Sequence, residues 1–179
     1  MDVHQAIQVR RSVRSYASTP IPPASLERLR AALRSAPSAC NFQPWHFVLV
    51  TNAELRRQVA AACFDQLWMA DAPLIVVGCG LPKQAYKHMG GHGVSVDVDV
   101  AIALDHLTLA AVAEGLGTCW IGAFNEEEVK RLLGIPAAAK VVALMPVGHP
   151  APPDGNTPLE DARRKPAEQV FSVDRYGQR

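Results

Sequence analysis

Apolar residues recur along this chain at helical spacing and gather into short unbroken runs between the helical stretches. Asp2 precedes Val3, Ala6 and Ile7, which predicts a capped first helix turning those three inward and ending in Arg10-Arg11-Ser12-Val13-Arg14. After Pro20 and Pro22-Pro23, Leu26, Leu29, Ala32 and Leu33 form one stripe with arginines opposite, a second amphipathic helix. Pro37 to Trp45 reads as a loop and Phe47-Val48-Leu49-Val50 as a strand. Helical period returns from Asn52 to Cys63. Leu74-Ile75-Val76-Val77, bounded by Pro73 and Gly78, suits a strand buried on both faces.

The segment Lys83 to Ser95 shows no clear period. From Val96 to Glu114 comes the longest helix, with little polar surface beyond Asp97, Asp99, Asp105, His106 and Thr108, so it is expected to be largely buried. Thr118 to Ile121 reads as a third strand. Asn125 followed by Glu128 resembles a capping box for a helix that stops at Gly134 and Pro136. Lys140 to Val147 is a fourth strand. A proline-rich connector then leads into a polar tail with too little apolar surface for a core of its own, expected to run along the body or a partner. The pattern is α+β, with about four strands and about five helices. It divides into one domain over residues 1–150 and an extension over 151–179.

Composition narrows the class. Of 179 residues, 49% are apolar and 20% charged, so a sizeable core is within reach. Eighteen basic against seventeen acidic side chains give a net charge of +1, which argues against nucleic-acid or membrane-surface binding through massed positive charge. No run approaches the roughly 18 apolar residues of a membrane span, and Met1 to Gln5 lacks the layout of a signal peptide. Cys40, Cys63, Cys79 and Cys119 lie far apart with no Cys-x-x-Cys pair, so they read as reduced, mostly buried thiols of a cytoplasmic protein.

Several chemistries are excluded. Gly78-Cys79-Gly80 follows a strand, but Pro82 comes next and the third glycine of a dinucleotide fingerprint is missing; no P-loop and no Gly-x-Ser-x-Gly elbow occurs. His88 and His92 are four apart, yet Gly90 and Gly91 between them argue against a helical metal site. A bound phosphate would have to be held by arginine side chains. Arg10, Arg11 and Arg14 with Ser12 supply such donors within five residues. A solvated basic face is the plain alternative, but Val13 and Tyr16 interrupt the run with groups that favour burial, which points to a site.

With these residues in view, the chain resembles the nitroreductase superfamily. The resemblance runs through Arg10-Arg11-Ser12-Val13-Arg14-Ser15-Tyr16, then Ala36-Pro37-Ser38-Ala39-Cys40-Asn41-Phe42-Gln43-Pro44-Trp45. It continues through Gly115 to Gly122, Pro146 to Pro150, and Arg164-Lys165-Pro166. It implies FMN as cofactor, with Arg10, Arg11, Ser12 and Arg164 gripping its phosphate and ribityl chain. Arg14 is implied at the N1–C2 carbonyl edge, where a fixed cation stabilises the negative charge of reduced flavin. Ser38, Ala39, Cys40 and Asn41 are implied to reach the flavin from the other subunit, and Ile121, Gly122 and Ala123 to lie along the ring. Each has a plain alternative: Asn41 as a loop brace, Gly122 as a turn glycine, Trp45 and Trp120 as core, Cys40 as a packing residue.

The fold implied is a mainly antiparallel sheet flanked by helices, in an interlocked homodimer with the sites at the interface. The activity implied is ping-pong transfer of hydride from NADH or NADPH through FMN to a nitroaromatic, quinone or similar electron-poor small molecule. The chemistry is carried by the flavin, with no protein acid or base assigned as catalytic. The sequence also admits a specialised flavoenzyme of the same fold, such as a dehalogenase, or a non-enzymatic FMN carrier or redox sensor. No long lid insertion is present, which leaves Lys83 to Ser95 as the expected substrate-facing segment.

Overall fold

The computed structural model of the chain describes residues 1–160 and 164–178. Its centre is a four-stranded sheet of β1 (Trp45–Val50), β2 (Leu74–Gly80), β3 (Gly117–Thr118) and β4 (Lys140–Gly148), in the order β1-β2-β4-β3 with every pairing antiparallel. All seven residues of β2 are buried, because it has a strand on each side and a layer of helices on each face. Its alternation sorts the core into two halves. Leu74 and Val76 point into a cluster with Leu29, Leu33, Leu104 and Leu107 from α2 (Pro23–Arg34) and α4 (Val96–Ala113). Ile75, Val77 and Cys79 point the other way, toward Val59 and Val129 of α3 (Ala53–Ala62) and α5 (Glu126–Leu133). The register pairs Val48 with Val77 and Val77 with Leu144, so apolar residues meet across each seam.

Two residues on β2 fix how closely α4 lies on the sheet. A Cβ at Gly80 would fall 2.4 Å from Val96 Cγ2, and one at Gly78 would fall 2.9 Å from Leu104 Cδ1. Only glycine at these positions lets the helix settle at its observed depth.

Local signals mostly hold. Asp2 caps α1 (Val3–Val9) in a full capping box with Gln5, Asn52 caps α3, and the Asn125 side chain accepts from the Glu128 N–H at the start of α5. Corrections concern what those elements face. Val3 and Ile7 are each 57% exposed, and only Ala6 of the first helix turns inward. In α4, Asp99 and Thr108 are buried rather than part of the polar surface. The third strand is only Gly117–Thr118; beyond it Ile121 makes an isolated bridge to Leu144. The structure also has a 3-10 turn at Leu67–Asp71 and a short α6 (Ala167–Val170), neither of which the pattern announced. Six α-helices are thus present among the described residues. Phe171, Val173 and Tyr176 in the tail are exposed.

Candidate functional site: an arginine-lined cleft

Residues 10–17 lie as a strap between β3 and the segment leaving β4. Ser12 bridges Thr118 in parallel and Tyr16 bridges Pro150. The Val13 N–H donates to the Thr118 carbonyl at 2.9 Å, and the Ala17 N–H to the His149 carbonyl at 2.9 Å. Val13 is fully buried. It packs against Gly117, where an added Cβ would stand 2.6 Å from Val13 Cγ2. Tyr16 is buried as well, stacked on Trp68 with ring centroids 6.4 Å apart, and its hydroxyl donates to the Val13 carbonyl at 2.7 Å. Burial drives the Tyr16 phenol far above its ordinary value, so it remains neutral. These two inward anchors leave the intervening Arg14 facing outward.

The connector after β4 holds the strap from outside. The Arg14 N–H donates to Asp154 Oδ2 at 2.6 Å, and the Arg11 N–H to Asn156 Oδ1 at 3.3 Å. Asn156 in turn donates from Nδ2 to the Leu116 carbonyl at 2.8 Å. Between strap and connector opens a cleft of about 640 Å³ lined by Arg10, Arg11, Ser12 and Arg14 with Asp154, Glu160 and Arg164. The late arginine, 150 positions from Arg14 in sequence, thus joins the first block in one wall. The Arg11 guanidinium also folds back to donate to the Gln8 and Arg10 carbonyls, at 2.9 and 2.5 Å.

Guanidinium forks beside a serine hydroxyl suit a phosphate monoester, each fork offering paired N–H donors to its oxygens. The chemistry of this donor set therefore fits the phosphate end of FMN. Beneath the strap, burial raises the Cys119 thiol above its ordinary value, although Arg14, a hydrogen bond with Ser12 and Arg10 pull the other way. Cys63 and Cys79 are pushed up by burial to about 12 and about 11. None of these three thiols is poised as a nucleophile at neutral pH.

The other nominated residues lie outside the lining of this cleft. Ser38–Asn41 forms a turn outside the cleft lining, with Cys40 at φ 52° and Asn41 at φ 55°. Cys40 is exposed, which corrects its reading as a packing residue. Ile121 is buried, whereas Gly122 and Ala123 are exposed, and Trp120 is 43% exposed rather than core. Sequence reasoning missed Asp154 and Asn156, which hold the strap by side-chain to backbone bonds. Their one signal was the Asp-Gly-Asn turn within the proline-rich connector. It also missed a second cavity of about 430 Å³, mostly apolar, among His46, Cys79, Leu81, Lys83 and Ile135, which shares no residue with the arginine cleft. Among the described residues no cluster of metal-ligating side chains occurs, His88 and His92 included, and no helix is long and apolar enough to cross a membrane.

The sequence profile of the nitroreductase family matches residues 7–88 and 66–149. An NADH dehydrogenase of Thermus thermophilus is 32% identical over 89% of this chain and 94% of its own length. The chain belongs to the nitroreductase family. In three dimensions it superposes on a nitroreductase family protein of Clostridium difficile 630 with TM-score 0.88 at 22% identity, covering 98% of this chain and 99% of the other. It also superposes on the NADPH:FMN oxidoreductase of Vibrio harveyi, solved with NAD+, with TM-score 0.83 at 26% identity over 97% of this chain and 77% of the other.

Proposed function

We propose that the protein is a cytoplasmic, homodimeric FMN-dependent NAD(P)H oxidoreductase acting on electron-poor small molecules. The observation that carries this is the convergence of Arg10, Arg11, Ser12, Arg14 and Arg164 on one cleft, with the arginine strap held in place by β3. Family membership and the likeness to an NADPH:FMN oxidoreductase support the same reading. When bound, FMN would supply reversible two-electron chemistry between NADH or NADPH as donor and a nitroaromatic, quinone or similar acceptor in a ping-pong cycle. The chain's own residues bind and orient. Arg10, Arg11, Ser12 and Arg164 hold the phosphate and ribityl chain, and Arg14 places positive charge at the edge where reduction adds negative charge.

Ser38, Ala39, Cys40 and Asn41 are assigned to the flavin site of a second copy, and Ile121, Gly122 and Ala123 to the ring side. Exposed Val3, Ile7 and Val98, together with the tail's Phe171 and Val173, are apolar groups of the kind a dimer interface covers. Residues 1–150 then form the flavin domain, and 151–179 complete the cleft and pack on the partner.

The test is the absorbance spectrum of the purified protein, followed anaerobically through titration with NADPH and then NADH. Flavin bands that bleach with either donor and return with a quinone or nitroaromatic are the expected result. Flavin that stays oxidised with both donors points to a carrier or sensor. Failure to take up FMN on reconstitution overturns the proposal.

A further inference from the structure

Asp99 is a carboxylate only 2% exposed, in the first turn of α4, and no cation pairs with it among the described residues. Both its oxygens are used. Oδ1 accepts the Ala39 N–H at 2.9 Å, and Oδ2 accepts the Ser95 hydroxyl at 2.6 Å. Ser95 is buried too, and its N–H donates to the Tyr86 carbonyl at 2.8 Å. One buried carboxylate therefore ties the Ser38–Asn41 turn to the end of the Lys83–Ser95 segment.

What it ties is strained. Cys40, Asn41 and Gln43 all have φ between 50° and 55°, in the left-handed region that side chains other than glycine seldom adopt. A loop with two such residues in its turn and a third just after it keeps its shape only when its surroundings over-determine it. Two of the bonds inside the loop run from the Asn41 N–H to the Ser38 carbonyl and from the Gln43 N–H to Ser38 Oγ, both 2.9 Å. Both close the loop upon itself and leave its place on the body unset. The Ala39–Asp99 bond joins it to α4, and a hydrogen bond to a buried acceptor, shielded from water, is stronger than the same bond in solvent.

We infer that Asp99 is a positioning residue that fixes where the Ser38–Asn41 turn meets the flavin, with Ser95 holding the carboxylate in its rotamer. The inference rests on the flavin role proposed above for that turn. Asp99 is assigned no direct contact with cofactor or substrate. It acts through the Ala39 amide, and through Ser95 it couples the flavin-facing turn to the segment expected to face substrate.

The experiment compares Asp99→Ala, Asp99→Asn, Ser95→Ala and Leu104→Ala by FMN affinity, thermal stability and hydrogen exchange at the amides of Ala39 to Phe42. Leu104 lies on the same helix, against the sheet, and touches neither loop bond, so it reports what plain destabilisation does. Asp99→Ala should weaken FMN binding about ten- to a hundredfold, the range for leaving buried hydrogen-bond donors unsatisfied. It should also speed exchange at those amides. Asparagine can accept from Ala39 with its oxygen and donate to Ser95 with its amide, so Asp99→Asn should recover most of the affinity. Ser95→Ala should fall between them.

Asp99→Ala protein with wild-type affinity and wild-type exchange overturns the inference and leaves the functional reading intact. So does a Leu104→Ala protein that loses as much affinity at matched stability. Wild-type protein that takes up no FMN overturns both.

Discussion

The inner pair of strands and the rim of the molecule are built from similar side chains put to opposite uses. Along β2 and β4 nearly every residue is buried, and α4 lies close because Gly78 and Gly80 leave it room. At the rim, Val3 and Ile7 of α1, Val98 of α4 and Phe171 of the tail stay exposed, and the arginine strap turns its charges into an open cleft. The centre is satisfied within one chain. The rim is organised but incomplete, and what it lacks is supplied by a cofactor and a second copy in the function proposed above.

The largest effect expected from breaking this division comes from the rim. Ending the chain before Pro158 removes Pro158, Leu159, Glu160 and Arg164 from the cleft wall and deletes the exposed tail. The truncated protein should lose dimerisation and FMN retention while keeping its far-ultraviolet dichroism, as read by light scattering and flavin absorbance. A dimeric, yellow truncated protein would erase the distinction between rim and centre.

Next, Leu104→Ala opens a cavity at the fully buried contact between α4 and β2. It should cost about 2–5 kcal/mol, lowering the melting temperature by roughly 4–20 °C with FMN affinity held. Denaturant unfolding and flavin titration check the two halves separately. Smaller again, Arg14→Ala should lower the flavin reduction potential and slow reduction by about tenfold, more than it weakens FMN binding. Unchanged potential and rate in stopped-flow measurements would remove Arg14 from its assigned role.

The smallest effect is electrostatic. Hydrogen bonds from Arg28 and Ser25 hold the Glu114 carboxyl below its ordinary value. Because the folded-state value is depressed, the stability it contributes is present above the unfolded carboxylate range near roughly pH 4.3. That contribution is lost as pH falls through the folded value. Arg28→Ala should therefore show a slightly lower melting temperature than the parent at pH 7, and the gap should close in acid. Arg28 is largely exposed, so salt should shrink the gap as well.

Much of the centre was legible because burial writes a period into the sequence. The run Leu74 to Val77, the stripe on α2 and the caps at Asp2 and Asn52 each declare one element locally. The rim was harder for a physical reason. Val3 and Ile7 share the first helix's apolar spacing with Ala6, and the pattern does not say which surface covers them. Asp99 looks in sequence like one more polar residue of a long helix, and only the fold brings the Ala39 amide to it from 60 positions away. The short β3 misled because Thr118 to Ile121 has strand-like residues, yet after Thr118 a single bridge at Ile121 replaces continuous pairing. The arginine strap was found because Val13 and Tyr16 break its charge run. The side chains that hold it, Asp154 and Asn156, lie in a connector whose prolines dominate the pattern.

The charge of the strap is segregated rather than abundant. The chain as a whole is nearly neutral at +1, yet among the described residues four guanidiniums share one cleft with two carboxylates, Asp154 and Glu160. Such a cleft acts at a distance of about a Debye length, roughly 10 Å at 0.1 M salt, drawing dianions inward before any contact forms. Capture of FMN should accordingly slow as ionic strength rises, while the protein at large stays indifferent to polyanions.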